Sequence, residues 1–125
     1  MSIKYSGLHH VSVIVADLEK SLDFYIQVLG MTQDDSRPDL GYQGAWLQVG
    51  EQQIHLLALP NPDSTTDRPD HVGRDRHTAL SVNNIDAVIL RLEQANIDYT
   101  KSKSGRAAIF FRDPDGNGLE FVEKA

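Results

Sequence analysis

"LHHVSVIVADLEKSLDFY", residues 8–25, is the stretch whose reading decides the fold. Its first half is short and β-branched, which favours a strand. Alternation then puts Leu8, His10, Ser12, Ile14 and Ala16 on one face and His9, Val11, Val13 and Val15 on the other, so the adjacent histidines are expected to point opposite ways. Asp17 is a suitable helix N-cap. Leu18, Leu22, Tyr25, Ile26 and Leu29 follow at helical spacing, and Gly30 supplies a stop.

Outward from this strand and helix come a short extended piece near Thr32, the loop "DDSRPDLGYQG", and the apolar runs "AWLQV" and "QIHLLAL", joined through Val49-Gly50-Glu51-Gln52 as a hairpin. Residues 60–76, "PNPDSTTDRPDHVGRDR", are rich in Pro, Asp and Thr and lack apolar periodicity, as a long connection would. Beyond it the order recurs. "HTALSV" reads as a strand, Asn83 or Asn84 as a cap, and Ile85, Val88, Ile89 and Leu92 as one face of a helix ending near Asn96. "IDYTK", "RAAIFFR" and "GLEFVEK" complete the second half, the last two flanking the turn signal "DPDGN". The chain thus divides into a module over about 7–59, a linker over about 60–76 and a second module over about 77–124.

Sliding one half onto the other places His77 on His10, Leu80 on Val13, Val82 on Val15, Asn84 on Asp17 and Leu92 on Tyr25. With a small change of offset that loop length absorbs, "GLEFV" falls on "QIHLL", so Glu120 matches His55. Four potential metal ligands, His10, His55, His77 and Glu120, therefore occupy equivalent places. A two-fold arrangement of the halves would gather them, and three imidazoles with a carboxylate suit Fe, Mn, Ni, Co or Zn. A lone strand histidine is more often a packed or surface residue; joint occurrence in register is what singles these out. His9 reads as such a packed or surface residue, and His71, in the polar linker, as solvent-exposed.

Composition narrows the class. With 125 residues the chain has the size of one domain. No apolar run approaches the roughly 20 residues that cross a bilayer, and the opening "MSIKYSGLHH" does not read as a signal peptide, which gives a cytoplasmic expectation. The net charge of −6, with no basic stripe, argues against nucleic acid as a partner. There is no cysteine, so any metal must be held by nitrogen and oxygen.

"LHHVSVIVADLEKSLDFYIQVLGM" together with "RHTALSV" and "FFRDPDGNGLEFVE" resembles the vicinal oxygen chelate superfamily, the group of glyoxalases, fosfomycin-resistance proteins and extradiol dioxygenases. The resemblance runs from Leu8 to Glu123. It implies an α+β fold of two βαβββ modules forming a cupped, partly open sheet around a divalent metal, and small members that pair as homodimers whose sites draw on both chains. It implies His10, His77 and Glu120 as ligands. The fourth place departs from the family's glyoxalase I enzymes, which carry a glutamate where this chain has His55. That exchange leaves a divalent centre cationic where the two-His, two-carboxylate set would be neutral. It also leaves Glu120 alone to act as the base an isomerisation needs.

The expected function is a metal-dependent, glyoxalase-like lyase or isomerase acting on a small oxygen-chelating substrate. If His55 points away from the ion, the remaining two-His-one-carboxylate set equally suits Fe(II)-dependent dioxygenase chemistry. An alternative of another class is a small-molecule binding or resistance protein without turnover. Ser12 shares the His10 face and leaves room for a ligand, and Trp46 would wall the cup. Arg37 and Arg106 stand just before strands that line it, where either would grip a carboxylate or phosphate. The linker is long enough to close as a lid or to order in a dimer interface.

Overall fold

The computed structural model describes residues 1–124. Strand β1 (His10–Ile14) runs into helix α1 (Leu18–Leu22) through Asp17, whose carboxylate accepts the Lys20 amide at 3.3 Å. The helix expected up to Leu29 is present but changes pitch: Asp23–Val28 form wider π-helical turns, with Phe24 and Tyr25, neighbours in the chain, both buried. Gly30 follows at φ +76, a conformation that costs glycine little. Strands β2 (Thr32–Asp34), β3 (Gly44–Val49) and β4 (Gln52–Leu57) complete the first unit.

The second unit repeats the order with β5 (His77–Val82), α2 (Ile85–Gln94), β6 (Tyr99–Lys101), β7 (Ala108–Arg112) and β8 (Gly118–Glu123). Asn84, rather than Asn83, caps α2 by accepting the Ala87 amide at 3.1 Å. Each unit builds a four-stranded sheet, in the orders β1-β4-β3-β2 and β5-β8-β7-β6, and neither sheet closes into a barrel. The first strand of each unit pairs parallel with the last, and the other pairs are antiparallel. Ser12 lies opposite His55 and Ala79 opposite Glu120, so the two registers match as the superposition of halves requires.

One apolar core joins both sheets. It contains Val15, Leu47, Ile54 and Leu56 of the first, Leu80, Ile109, Phe111, Leu119 and Phe121 of the second, and Tyr25 and Leu92 from the helices. Each such fully buried side chain contributes about 1.5–3 kcal/mol relative to exposure. Because strand side chains alternate, filling this core sends His10, Ser12, Trp46 and His55, and equally His77, Phe110 and Glu120, to the face of their sheet away from it. That alternation fixes where any chemistry can sit.

Polar contacts tie the units together. The Asn117 amide donates to the Ile14 carbonyl at 3.1 Å and to Asp113 Oδ2 at 2.9 Å, and the Ala16 amide donates to Asp115 Oδ1 at 2.9 Å. Tyr25 Oη donates to Asp113 Oδ2 at 2.8 Å; burial raises both groups, the phenol well above its ordinary range. The "DPDGN" turn thus clasps the end of β1.

The linker is not a free loop. It forms a 3-10 turn at Val72–Arg74 and seats Val72, which is buried, beside Gly118, where an added Cβ would come within 2.9 Å of Val72 Cγ1. Among the described residues no helix is long and apolar enough to cross a membrane.

Candidate functional site

On the outer face of the first sheet three rings stack. Trp46 lies 4.7 Å from His55 with the planes 12° apart, and His55 lies 3.9 Å from His10 at 15°. Cross-strand pairing explains the first contact, since Trp46 and His55 are direct partners on β3 and β4. Gln53, two residues before His55 and on the same face, sets that ring: its amide nitrogen donates to Asp34 Oδ2 at 2.8 Å and to Gln48 Oε1 at 3.0 Å. Its oxygen is left to accept from His55 Nε2 at 2.8 Å. His55 Nδ1 is therefore the nitrogen that carries a lone pair. Burial, then the neighbouring charges of His10, His9 and Arg37, hold His55 below the usual imidazole range, which favours the neutral ring a metal ligand requires.

His9 departs from the expectation of opposed histidines. The regular strand begins at His10, so alternation does not govern the residue before it, and the His9 ring turns to meet its neighbour edge-on at 5.0 Å, with Nδ1 to Nδ1 at 2.8 Å. That contact engages His10 Nδ1 and leaves Nε2 as the other ring nitrogen.

The second sheet presents the other pair. His77 Nε2 is 3.1 Å from Glu120 Oε1, and Arg106 Nη2 donates to Glu120 Oε2 at 2.8 Å. Glu120 is 4% exposed, a buried carboxylate held between an imidazole and a guanidinium, whereas the Arg106 side chain is 56% exposed. His77 Nδ1 donates to the Asp75 carbonyl at 2.8 Å, which turns Nε2 towards the carboxylate. His71 is not the exposed residue expected: it is half-buried and packs edge-on against Phe110 at 5.0 Å, and Phe110 is the direct cross-strand partner of Glu120. Phe110 also meets His77, at 5.6 Å.

The four matched residues thus form two pairs, one on each sheet. Among the described residues no three His, Asp or Glu side chains converge within one chain. Ser12 and His77 do share a cleft of about 360 Å³ where the free edges of β1 and β5 face each other, beside Arg68, Arg76 and Asn117. Arg37 is committed to its own loop: Nη2 donates to the Tyr42 carbonyl at 3.0 Å, the guanidinium lies 5.2 Å over the Tyr42 ring, and Gly44 admits it by lacking a side chain. Of the residues that sequence reasoning passed over, Gln53 was findable from its i+2 spacing to His55. The roles of His9, His71 and Asp75 depend on backbone outside the regular strands and had no periodic signal.

Comparison with known proteins agrees with this architecture. Over 120 residues the chain is 32% identical to Glyoxylase I 4 of Arabidopsis thaliana, covering 92% of this chain and 69% of that protein. A putative glyoxalase family protein from Bacillus anthracis superposes with a TM-score of 0.81 at 25% identity, with both chains covered in full. A mutant of the fosfomycin resistance protein FosX from Listeria monocytogenes, complexed with Mn(II) and 1S,2S-dihydroxypropylphosphonic acid, superposes with a TM-score of 0.73 at 20% identity, over 98% of this chain and 95% of that one. The family profile matches residues 7–121, so the chain belongs to the Glyoxalase/Bleomycin resistance protein/Dioxygenase superfamily.

Proposed function

We propose that this protein is a divalent-metal-dependent, glyoxalase-like enzyme of the cytoplasm, working as a homodimer on a small substrate that presents adjacent oxygens. The observation that carries the reading is the facing of His77 Nε2 and Glu120 Oε1 at 3.1 Å. Two neighbouring ligands about 2.1 Å from one ion lie about 3 Å apart, so an imidazole nitrogen and a carboxylate oxygen at this spacing would suit a cation held by both. The stacked His10 and His55 supply a second nitrogen pair on the first sheet. Since the pairs lie on different sheets, each facing away from the shared core, the full set of His10, His55, His77 and Glu120 is completed by a second copy of the chain. An all-nitrogen-and-oxygen set suits Fe, Mn, Ni, Co or Zn, and the Mn(II) in the FosX relative supports the class.

When bound, the ion supplies a Lewis acid for negative charge developing on a substrate oxygen. Glu120, the carboxylate of the set, takes a proton from the substrate carbon and returns it to the adjacent one. Arg106, on the other oxygen of Glu120 and largely exposed, turns from it to pair with an anionic group of the substrate and frees that oxygen to act as the base. Trp46 walls the pocket and Ser12 leaves room beside it.

One observation favours a second reading. His55 is held between Trp46 and His10 with Nε2 engaged by Gln53, and a set without it would be His10, His77 and Glu120, the facial arrangement of Fe(II) dioxygenases. Elemental analysis of protein purified without added metal, repeated after incubation with divalent ions, tests the shared premise: a dimer that neither carries nor takes up an ion overturns both readings. Turnover of methylglyoxal with glutathione supports the isomerase. Oxygen uptake on a catechol after anaerobic iron loading supports the dioxygenase.

A further inference from the structure

The second sheet carries, over its outer face, a polar strap made of residues 68–76. Its anchor is Asp75. Both carboxylate oxygens are engaged: Arg68 grips them through Nε at 3.0 Å and through Nη2, Arg112 Nη1 of β7 donates at 2.8 Å, and the Arg76 amide donates at 2.8 Å. The Asp75 side chain is 6% exposed. Arg112 also donates to the carbonyls of Pro69 and Gly116, and Val72 fills the space over Gly118. The Asp75 peptide is thereby immobilised, and its carbonyl is the group that accepts from His77 Nδ1.

We infer that Asp75 is a positioning residue: the Arg68–Asp75–Arg112 cluster fixes the peptide carbonyl that selects the Nδ1–H tautomer of His77 and aims Nε2 at Glu120. The inference deepens the proposed function and rests on its reading of His77 as a ligand. Outer partners that hold the second ring nitrogen of a histidine govern which nitrogen is available to a metal. Free imidazole side chains prefer the proton on Nε2, which would leave the wrong nitrogen free here. The strap overrides that preference. It also brings His71 to Phe110, so the cluster that orients the histidine builds one wall of the same cup.

The test uses the full-length protein. Long-range nitrogen–proton NMR of the metal-free protein in a Glu120→Gln background, where no carboxylate draws the ring proton to Nε2, reads the His77 tautomer directly, and Zn(II) or Co(II) titration of the protein with Glu120 intact reads affinity. With Asp75 intact, His77 should carry its proton on Nδ1 in that background. Asp75→Ala should move it towards Nε2–H and weaken metal binding about 10- to 100-fold. Arg68→Gln, which removes one anchor and leaves Arg112 in place, should give a smaller change of the same sign and serves if Asp75→Ala does not fold. Asp17→Ala, which removes the α1 cap in the other unit, should leave the tautomer unchanged and so controls for general loosening. An unchanged His77 tautomer in folded Asp75→Ala or Arg68→Gln overturns the inference. A shifted tautomer in a protein whose wild type binds no divalent ion supports the strap's role and overturns the metal reading, so the two failures are distinguishable.

Discussion

At the residue scale, the two adjacent histidines of residues 9 and 10 are told apart by strand register rather than by direction. Strand alternation and the match to His77 single out His10, and the structure stacks it on His55. The same alternation sent His9 away, yet its ring contacts His10 because the residue lies before the first regular strand position. The contact sets a graded expectation. His77→Ala, which removes a donor from the Glu120 pair, should abolish stoichiometric uptake of a divalent ion in equilibrium titration. His9→Ala, which removes only a neighbour of a donor, should weaken uptake by about tenfold and leave the stoichiometry unchanged. Equal and complete losses in both would place His9 among the ligands and overturn the choice of His10 over its neighbour.

At the scale of elements, the strands and helices were legible because their core faces repeat at two and at 3.6 residues, and the caps Asp17 and Asn84 both take up their helix amides. The linker was legible only as a break in that pattern. Its seat on the second sheet is built from Arg68, Asp75 and Arg112, far apart in the chain, with no periodicity to announce them. The Arg68 guanidinium, with Arg112 beside it, holds the Asp75 carboxyl well below its ordinary value of 3.8. A group depressed on folding stabilises the fold fully above its unfolded value and loses that contribution as pH falls towards the folded one. Denaturant titrations from neutral pH down should therefore show wild type losing stability below about pH 4, in excess of Asp75→Asn. Parallel pH profiles for the two proteins would mean that the cluster does not secure the strap.

At the scale of the whole molecule, the shared core decides how the functional halves can meet. Ile54 and Leu56 flank His55, and Leu119 and Phe121 flank Glu120, so burying the apolar pairs in one core turns His55 and Glu120 to the sheet faces away from it. If a second copy completes each site, complementary variants should rescue one another. A chain with His10→Ala and His55→Ala keeps His77 and Glu120, while a chain with His77→Ala and Glu120→Gln keeps His10 and His55. Neither should bind metal alone, and the co-expressed mixture should regain one site per heterodimer by titration. Recovery of no binding, with mixed dimers shown by mass spectrometry, would place each site within a single chain.

The sequence by itself determined the two-fold order of elements and the four matched positions His10, His55, His77 and Glu120, because each is written in local periodicity and in the likeness of one half to the other. It could not determine that His10 and His55 stack on one sheet while His77 and Glu120 meet on another. Nor could it determine that His9, His71 and Asp75 stand beside them. Those outcomes depend on which faces the single core consumes and on where non-repeating backbone comes to rest, and only the tertiary packing decides either.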